Sequence, residues 1–366
     1  MRLLYVASEA YPLIKTGGLA DVAGSLPQAL RVLGVDVRLL LPAYGDVLAA
    51  VGDLRTVATM VLAGEQMEVL ETTLPGTAVT TWLLQHPRFS ARPGNPYLDA
   101  QGQPWPDNAE RFALLSHLAA AIACGETALD WRADVLHCND WHTGPAVPLA
   151  QQRDSPPRTV FTIHNLAHMG LCDRATFDRL QFPESFWHGD SMEFYHQCSF
   201  IKGGLAHADY ITTVSPGYAR EICASPGGMG LEGLLSHRRQ RLVGILNGID
   251  QETWNPATDP LIPCNYDADS LADKGLNKAA LQRELGLARR DDVPLLGFVG
   301  RLAEQKGLEL LLPVLDAALA NPAQLVLLGT GEAGYQEQLL ALAQRWPGNA
   351  AVILAYNETM AHKIEA

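Results

Sequence analysis

The 366-residue sequence has no C-x-x-C pair, no apolar run long enough to span a bilayer and no excess of positive charge. Each absence removes a class of protein. The six cysteines (Cys124, Cys138, Cys172, Cys198, Cys223, Cys264) are scattered, so neither a zinc site nor a disulfide framework is expected, and a reducing compartment is. The most apolar stretch, "LELLLPVLDAALA", is broken by Glu309, Pro313 and Asp316, which argues against a membrane helix. The N-terminal "MRLLYVASEAYP" is interrupted by Glu9 and Pro12 and lacks signal-peptide architecture, so a cytoplasmic protein is the expectation. Asp and Glu number 40 against 27 Lys and Arg, a formal net charge of −13 that argues against nucleic-acid and anionic-membrane partners. An anionic ligand would have to be held by a few placed cations and backbone N–H groups. There is no G-x-S-x-G elbow for a serine nucleophile either.

What is present is a long α/β pattern. The length exceeds a single core and predicts two domains of unequal size. A buried strand (Leu3–Ala7), a Gly/Pro loop, a helix from about Leu19 to Leu33 closed by Gly34, and the strand "VDVRLLLP" make a βαβ unit. Such units build parallel sheets with helices on both faces. "ADVLHCNDWHTGPAVPLA", "RTVFTIHNLAH" and "ADYITTVSPGYAREI" continue the series. Residues 85–108 are rich in Pro, Gly, Asn and aromatics, and read as either a variable surface loop or a working insertion. At "LNGIDQETWNPATDP" an Asn-Gly turn and two prolines suggest a hinge. The expected organisation is a first domain over 1–246, a linker over 247–262 and a second over 263–366. The second series opens at "VPLLGFVGRLAEQKGLELLLPVL" with a buried strand, a basic loop and a helix. It supplies about three strands, so the second domain is expected to be incomplete.

Ligands of parallel sheets collect beyond the C-terminal ends of the strands, where helix N-termini offer unpaired N–H groups. In "KTGGLADV", Gly17 and Gly18 would let backbone approach a phosphate and Lys15 would add charge; a glycine turn with a solvated lysine is the alternative. "GRLAEQKGL" places Arg301 and Lys306 in one strand-to-helix loop, suited to phosphate recognition. "LLGTGEAG" contains a literal G-x-G-x-x-G (Gly329, Gly331, Gly334) with Glu358 as a possible ribose acid, but on the second βα unit of its domain rather than the first. His164 ends a strand in "FTIHNLAHMG", and His137, Asp140 and His142 follow the same form in "VLHCNDWHTG". These read as pocket-lining groups rather than a metal site, since nothing completes a recognised ligand set. "FIKGGLAHADY" repeats Lys-Gly-Gly-Leu after a helix-like stretch, and is taken as a look-alike.

The motifs "KTGGLADV", "DVLHCNDWHTG", "FTIHNLAHMG", "ITTVSPGYAREI", "LNGIDQETWNP" and "GRLAEQKGL" occur in the order seen in bacterial glycogen synthases and plant starch synthases. The chain resembles that family along its whole length. The resemblance implies an α/β protein of two Rossmann-like domains (the GT-B architecture) with its active site between them. It also implies glucose transfer from ADP-glucose to the non-reducing end of an α-1,4-glucan such as glycogen, with retention and without a cofactor or metal. By the same resemblance Lys15, Gly17, Gly18 and Asp21 belong to the donor site, with Asn247 by the sugar and Gly329 in the nucleotide region. His164 would hydrogen-bond the donor glucose, Arg301 and Lys306 would hold the diphosphate, and Glu9, Asp140 and His142 would line the pocket. The family's Glu-x-x-Gly-Leu motif is absent after Lys306, so a fragment with impaired turnover is expected. Other readings are a glucan- or nucleotide-binding remnant, a different sugar-nucleotide transferase, or an NAD-dependent oxidoreductase.

Overall fold

A computed structural model describes residues 1–92, 95–99 and 101–366. They form two compact units, Met1–Gly248 and Ile249–Ala366. The first unit runs β1 (Arg2–Val6), α1 (Gly18–Val32), β2 (Asp36–Pro42), α2 (Gly45–Ala50), β3 (Arg55–Leu62), β4 (Glu65–Thr73) and β5 (Thr80–Gln85). It continues through α3 (Pro87–Ser90), α4 (Asn108–Cys124), β6 (Val135–Asn139), α5 (Ala146–Gln151) and β7 (Arg158–Ile163). After β8 (Leu171–Cys172), α6 (Arg174–Arg179), β9 (Glu193–Phe194), β10 (Gln197–Ser199) and α7 (Phe200–His207), it closes with β11 (Tyr210–Thr213), α8 (Pro216–Glu221), α9 (Glu232–His237) and β12 (Leu242–Gly244).

Nine of these strands form one sheet in the order β12-β11-β7-β6-β1-β2-β5-β4-β3. All neighbours from β12 to β5 are parallel, and only the β5–β4 and β4–β3 pairs are antiparallel. From β1 the chain builds outward through β2, then returns to place β6 on the other flank. The loops after β1 and β6 therefore leave the sheet at a topological switch point, where open α/β sheets form crevices. The core strands are apolar because both faces are covered: Leu4, Tyr5, Val6, Leu39, Leu40, Leu136 and Phe161 are all buried. Helix α4 has no polar stripe, and every residue from Arg111 to Ala123 is buried. It is an internal helix rather than an amphipathic cover.

One sequence expectation changes in this unit. Segment 200–210 follows the short strand β10, not a helix, and its residues Phe200–His207 form α7, capped by Ser199 Oγ accepting from the Lys202 N–H. Lys202 Nζ then donates to the carbonyls of Gly189 and Glu193. Insertion 85–108 holds the short helix α3 and a turn bridging Leu98 and Pro104; its residues 93, 94 and 100 lie outside the described set.

The second unit contains α10 (Lys274–Glu284), β13 (Leu295–Val299), α11 (Leu308–Ala320), β14 (Gln324–Leu328), α12 (Ala333–Arg345), β15 (Ala350–Ile353) and α13 (Glu358–Glu365). Its sheet, β13-β14-β15, is wholly parallel, a Rossmann-like pattern. Only β14 is buried throughout. The expectation of a buried β13 fails: it is an edge strand, and Leu296 and Val299 are 42% and 41% exposed. Among the described residues no helix is long and apolar enough to cross a membrane.

Candidate active site

The loop after β1 is held by its own side chains. Glu9, 3% exposed, accepts hydrogen bonds from the Thr16 N–H and hydroxyl, both at 2.6 Å. Tyr11 N–H donates to the Ala20 carbonyl of α1, and a Cβ at Gly24 would collide with the Tyr11 carbonyl oxygen. The glycine thus lets the loop lie against the helix. Lys15 Nζ sits 2.9 Å from Asp21 Oδ1 in the first turn of α1 and 5.5 Å from the Tyr11 ring centroid.

Gly17 and Gly18 differ from Gly24. A Cβ at Gly18 would meet nothing within 4 Å, and one at Gly17 only Glu9 Oε1 at 4.0 Å. Gly17 is extended (φ −162°), and among the described residues no side chain caps α1. The protein's own packing does not require these glycines. They leave clear space over the first N–H groups of a helix beside a lysine, which suits an anion.

The other wall comes from β6 and β7. Asn139, fully buried, donates to the Val6 carbonyl, while its Oδ1 accepts from the Tyr5 hydroxyl and the His164 Nε2–H, each at 3.1 Å. One amide therefore ties β1, β6 and the end of β7 together. Asp140 takes a left-handed backbone (φ 56°), and its Oδ1 accepts from the N–H groups of His164 at 2.7 Å and Asn165 at 3.3 Å. Left-handed aspartate is uncommon, and here the paired β7 loop holds it. With Nε2–H committed to Asn139, His164 keeps Nδ1 as an acceptor.

Burial dominates the electrostatics. It raises the Glu9 carboxyl from 4.5 to about 7, the Thr16 bonds opposing and Asp140 and Asp21 adding to the rise. It also raises Asp140. The histidines move the other way: burial lowers His164 against the pull of Asp140, brings His137 to about 3, and takes His142 well below its ordinary value. All three imidazoles are neutral at pH 7, and Glu9 exchanges its proton near neutrality.

Of the residues singled out in this unit, Glu9, Lys15, Gly17, Gly18, Asp21, Asp140 and His164 gather around the switch point. The ring of His142 packs among Tyr97, Phe112 and Trp141, with centroids at 4.1–4.7 Å, and its Nδ1 has no hydrogen-bond partner among the described residues. Asn247 lies in the wholly exposed stretch 245–250. Sequence reasoning missed Asn139, Ser8 and Tyr97. Tyr97 comes from the 85–108 insertion, and its hydroxyl meets Ser8 Oγ at 2.8 Å, next to Glu9.

The second unit carries its own basic loop. Arg301 and Lys306 follow β13, are exposed, and pair with no carboxylate among the described residues. Gly329 and Gly331 serve this loop. A Cβ at either would collide with the carbonyl oxygen of Gly300 or Leu302 respectively. Leu302 N–H donates to Thr330 O and Glu332 N–H to Leu302 O, each at 2.8 Å. The first two glycines of the G-x-G-x-x-G pattern thus let two main chains touch, and this packing accounts for the pattern without a dinucleotide. Among the described residues no group of three or more His, Cys, Asp or Glu is arranged to hold a metal.

A family model described as the starch synthase catalytic domain matches residues 2–237. The chain is 50% identical to a glycogen synthase of Cellvibrio japonicus over 366 residues, covering all of this chain and 76% of that protein. It is 49% identical to glycogen synthase 1 of Methylococcus capsulatus, again along its whole length and over 74% of the relative. Among solved structures it is similar to the catalytic domain of starch synthase IV from Arabidopsis thaliana bound to ADP and acarbose. That match has a TM-score of 0.86 at 28% identity, over 99% of this chain and 76% of the other.

Proposed function

Because this chain belongs to the glycogen and starch synthase family of glycosyltransferases, we propose that it transfers glucose from ADP-glucose to the non-reducing end of an α-1,4-glucan with retention of the α configuration. Its two Rossmann-like units are of the GT-B class. A cytoplasmic location goes with that reading. One observation carries the donor assignment: Gly17 and Gly18 leave open space over the uncapped N-terminus of α1, beside Lys15. A diphosphate sugar has the negative charge that such a space favours.

The roles follow from the groups. Lys15 and the first N–H groups of α1 contact the donor, and Asp21 holds the lysine in place. His164 accepts a glucose hydroxyl at Nδ1, its ring fixed by Asn139 and its backbone by Asp140. Arg301 and Lys306 take the diphosphate, and Asn247 is assigned to the sugar. Gly329 acts through packing that sets the path of the Arg301 loop. In the transfer the bond from glucose C1 to the phosphate oxygen breaks and that from C1 to the acceptor oxygen forms on the same face. The hydroxyl proton passes to the leaving diphosphate. Negative charge grows on ADP as it departs, so cations preformed there favour the transition state.

The test is incorporation of labelled glucose into glycogen from ADP-glucose and from UDP-glucose in parallel. Transfer from ADP-glucose is expected to dominate. Preference for UDP-glucose would overturn the donor assignment, and glycogen binding without transfer from either would leave a binding protein.

A further inference from the structure

The six cysteines are free in the structure, and two of them face each other. Cys172 of β8 and Cys198 of β10 lie far apart in sequence, so no spacing pattern marks them. The antiparallel β8–β10 pairing sets them directly opposite, with Ser199 opposite Leu171 in the next position. Opposed residues of such a pair share one face of the sheet, with Cα atoms about 4.5–5.5 Å apart. A disulfide spans a Cα separation of about 4.4–6.8 Å. The pairing therefore holds two thiols at a spacing that one S–S bond can bridge without moving the backbone.

The register is held from both sides. Phe200 N–H donates to Gly170 O and Ile201 N–H to Met169 O, each at 3.2 Å, and Ser199 Oγ also donates to Met169 O. Gly170 is left-handed (φ +60°), and a Cβ there would stand 2.3 Å from the Trp141 ring and 2.9 Å from the Phe200 Cβ. On its other side β10 pairs with β9, with Cys198 opposite Glu193. Cys198 thus sits in the middle strand of three, where slippage would break both pairings.

The two sulfurs differ in exposure. Cys198 is fully buried; its hydrogen bond with the Cys172 thiol, then burial, push its own thiol up, so it keeps its proton at pH 7. Cys172 is half-buried, and is the sulfur that a dissolved oxidant reaches first. Each cysteine also directly precedes a helix cap. Asp173 accepts from the Thr176 N–H at the start of α6, and Ser199 from the Lys202 N–H at the start of α7. A bond between the sulfurs would fasten both helix starts to the end of the loop that begins at His164.

We propose that Cys172 and Cys198 form a reversible redox modification site, open as two thiols and closed as a disulfide. The oxidant is a small disulfide such as oxidised glutathione. Cys172 Sγ displaces one glutathione and forms a mixed disulfide. Cys198 Sγ then attacks Cys172 Sγ and expels the second, each thiol proton leaving with the departing glutathione. Two protein thiols are oxidised by two electrons, and one glutathione disulfide is reduced to two thiols. A reducing compartment maintains the open form, and a more oxidising poise closes it. The site depends on the sheet pairing alone and not on what the protein transfers.

Trypsin separates the two cysteines: Cys172 falls in peptide 159–174 and Cys198 in peptide 180–202, neither with another cysteine. The folded chain is treated with oxidised glutathione or with dithiothreitol, alkylated, digested and weighed by mass spectrometry. Oxidation is expected to give these two peptides joined, lighter than their sum by two hydrogen atoms, and dithiothreitol to part them. The melting temperature of the oxidised chain should rise by roughly 4–12 °C, a shift that Cys172→Ala abolishes. Cys198→Ala should stop at glutathione on Cys172. A wild-type chain that also stops at that adduct would overturn the proposal. So would bonds from either sulfur to another cysteine or to a second chain, or joined peptides that form only after the chain is unfolded. An oxidised wild type that melts no higher than oxidised Cys172→Ala would overturn it as well.

Discussion

Glu9 is a buried acid whose proton should govern the stability of the first unit. In the unfolded chain it ionises near 4.5, whereas in the folded protein burial holds the proton until about pH 7, a difference of about 2.5. Between those values the native state binds the extra proton, so stability falls as pH rises. Below pH 4.5 the penalty is absent; above pH 7 it is complete. At about 1.4 kcal/mol per pKa unit it amounts to about 3 kcal/mol. Glu9→Gln removes the ionisation while keeping an oxygen for the Thr16 N–H. The variant should therefore be more stable than wild type at pH 8 by about 1–3 kcal/mol, since both Thr16 bonds go to one oxygen, Oε2, which the amide can supply, and the range allows for a neutral acceptor being weaker than a charged one. At pH 5 the two should be nearly equal. Hydrogen exchange of amides in β1 and β6, compared between the two proteins at each pH, reads the difference directly. Exchange about 10- to 100-fold slower in the variant at pH 8, shrinking toward equality at pH 5, is expected. An equal ratio at both pH values, or an advantage for the variant only at pH 5, would refute the reasoning.

Three further outcomes are expected. Lys306→Ala should lower kcat/KM for ADP-glucose by about 2–4 kcal/mol of transition-state stabilisation, and a loss under about tenfold would remove Lys306 from the site. Gly329→Ala must displace the Gly300 carbonyl; calorimetry should show the second unit destabilised by about 1–3 kcal/mol, with kcat/KM falling too, and an unchanged melting transition would contradict the packing. With Arg301 and Lys306 supplying the positive charge, EDTA should leave transfer rates unchanged, and a loss restored by magnesium would contradict their role.

The sequence carried the elements that local chemistry decides. Gly34 ends the opening helix, and the apolar runs of β1, β2 and β14 are strands in the structure. The basic loop 300–307 follows its strand as the spacing suggested. What stayed hidden depends on contacts between distant residues. Tyr97 meets Ser8 across 89 positions, and Asn139 meets Tyr5 across 134, pairings that no local pattern announces. The G-x-G pattern is undecided in sequence for a related reason: a glycine needed for close approach looks the same whether the approaching group is a ligand or another stretch of main chain, such as the Gly300 carbonyl against Gly329. The stretch before Lys202 looked helical in sequence, but it is the short strand β10, and the helix begins only at the Ser199 cap. The exposure of β13, which β15 at the other edge of the sheet does not share, depends on what covers the strand's faces, and strand composition does not encode that.

The contact of main chain with main chain at Gly329 and Gly331 also fixes how the neighbouring cation can be studied. The path of residues 300–302 is held by peptide groups and by absent side chains, and none of those interactions uses the guanidinium of Arg301. The arginine rides on a frame built without it. Its charge, length and hydrogen-bonding fork can therefore be exchanged one at a time, through lysine, glutamine or methionine, with the frame left in place, so that each variant reports the chemistry of position 301 apart from its architecture.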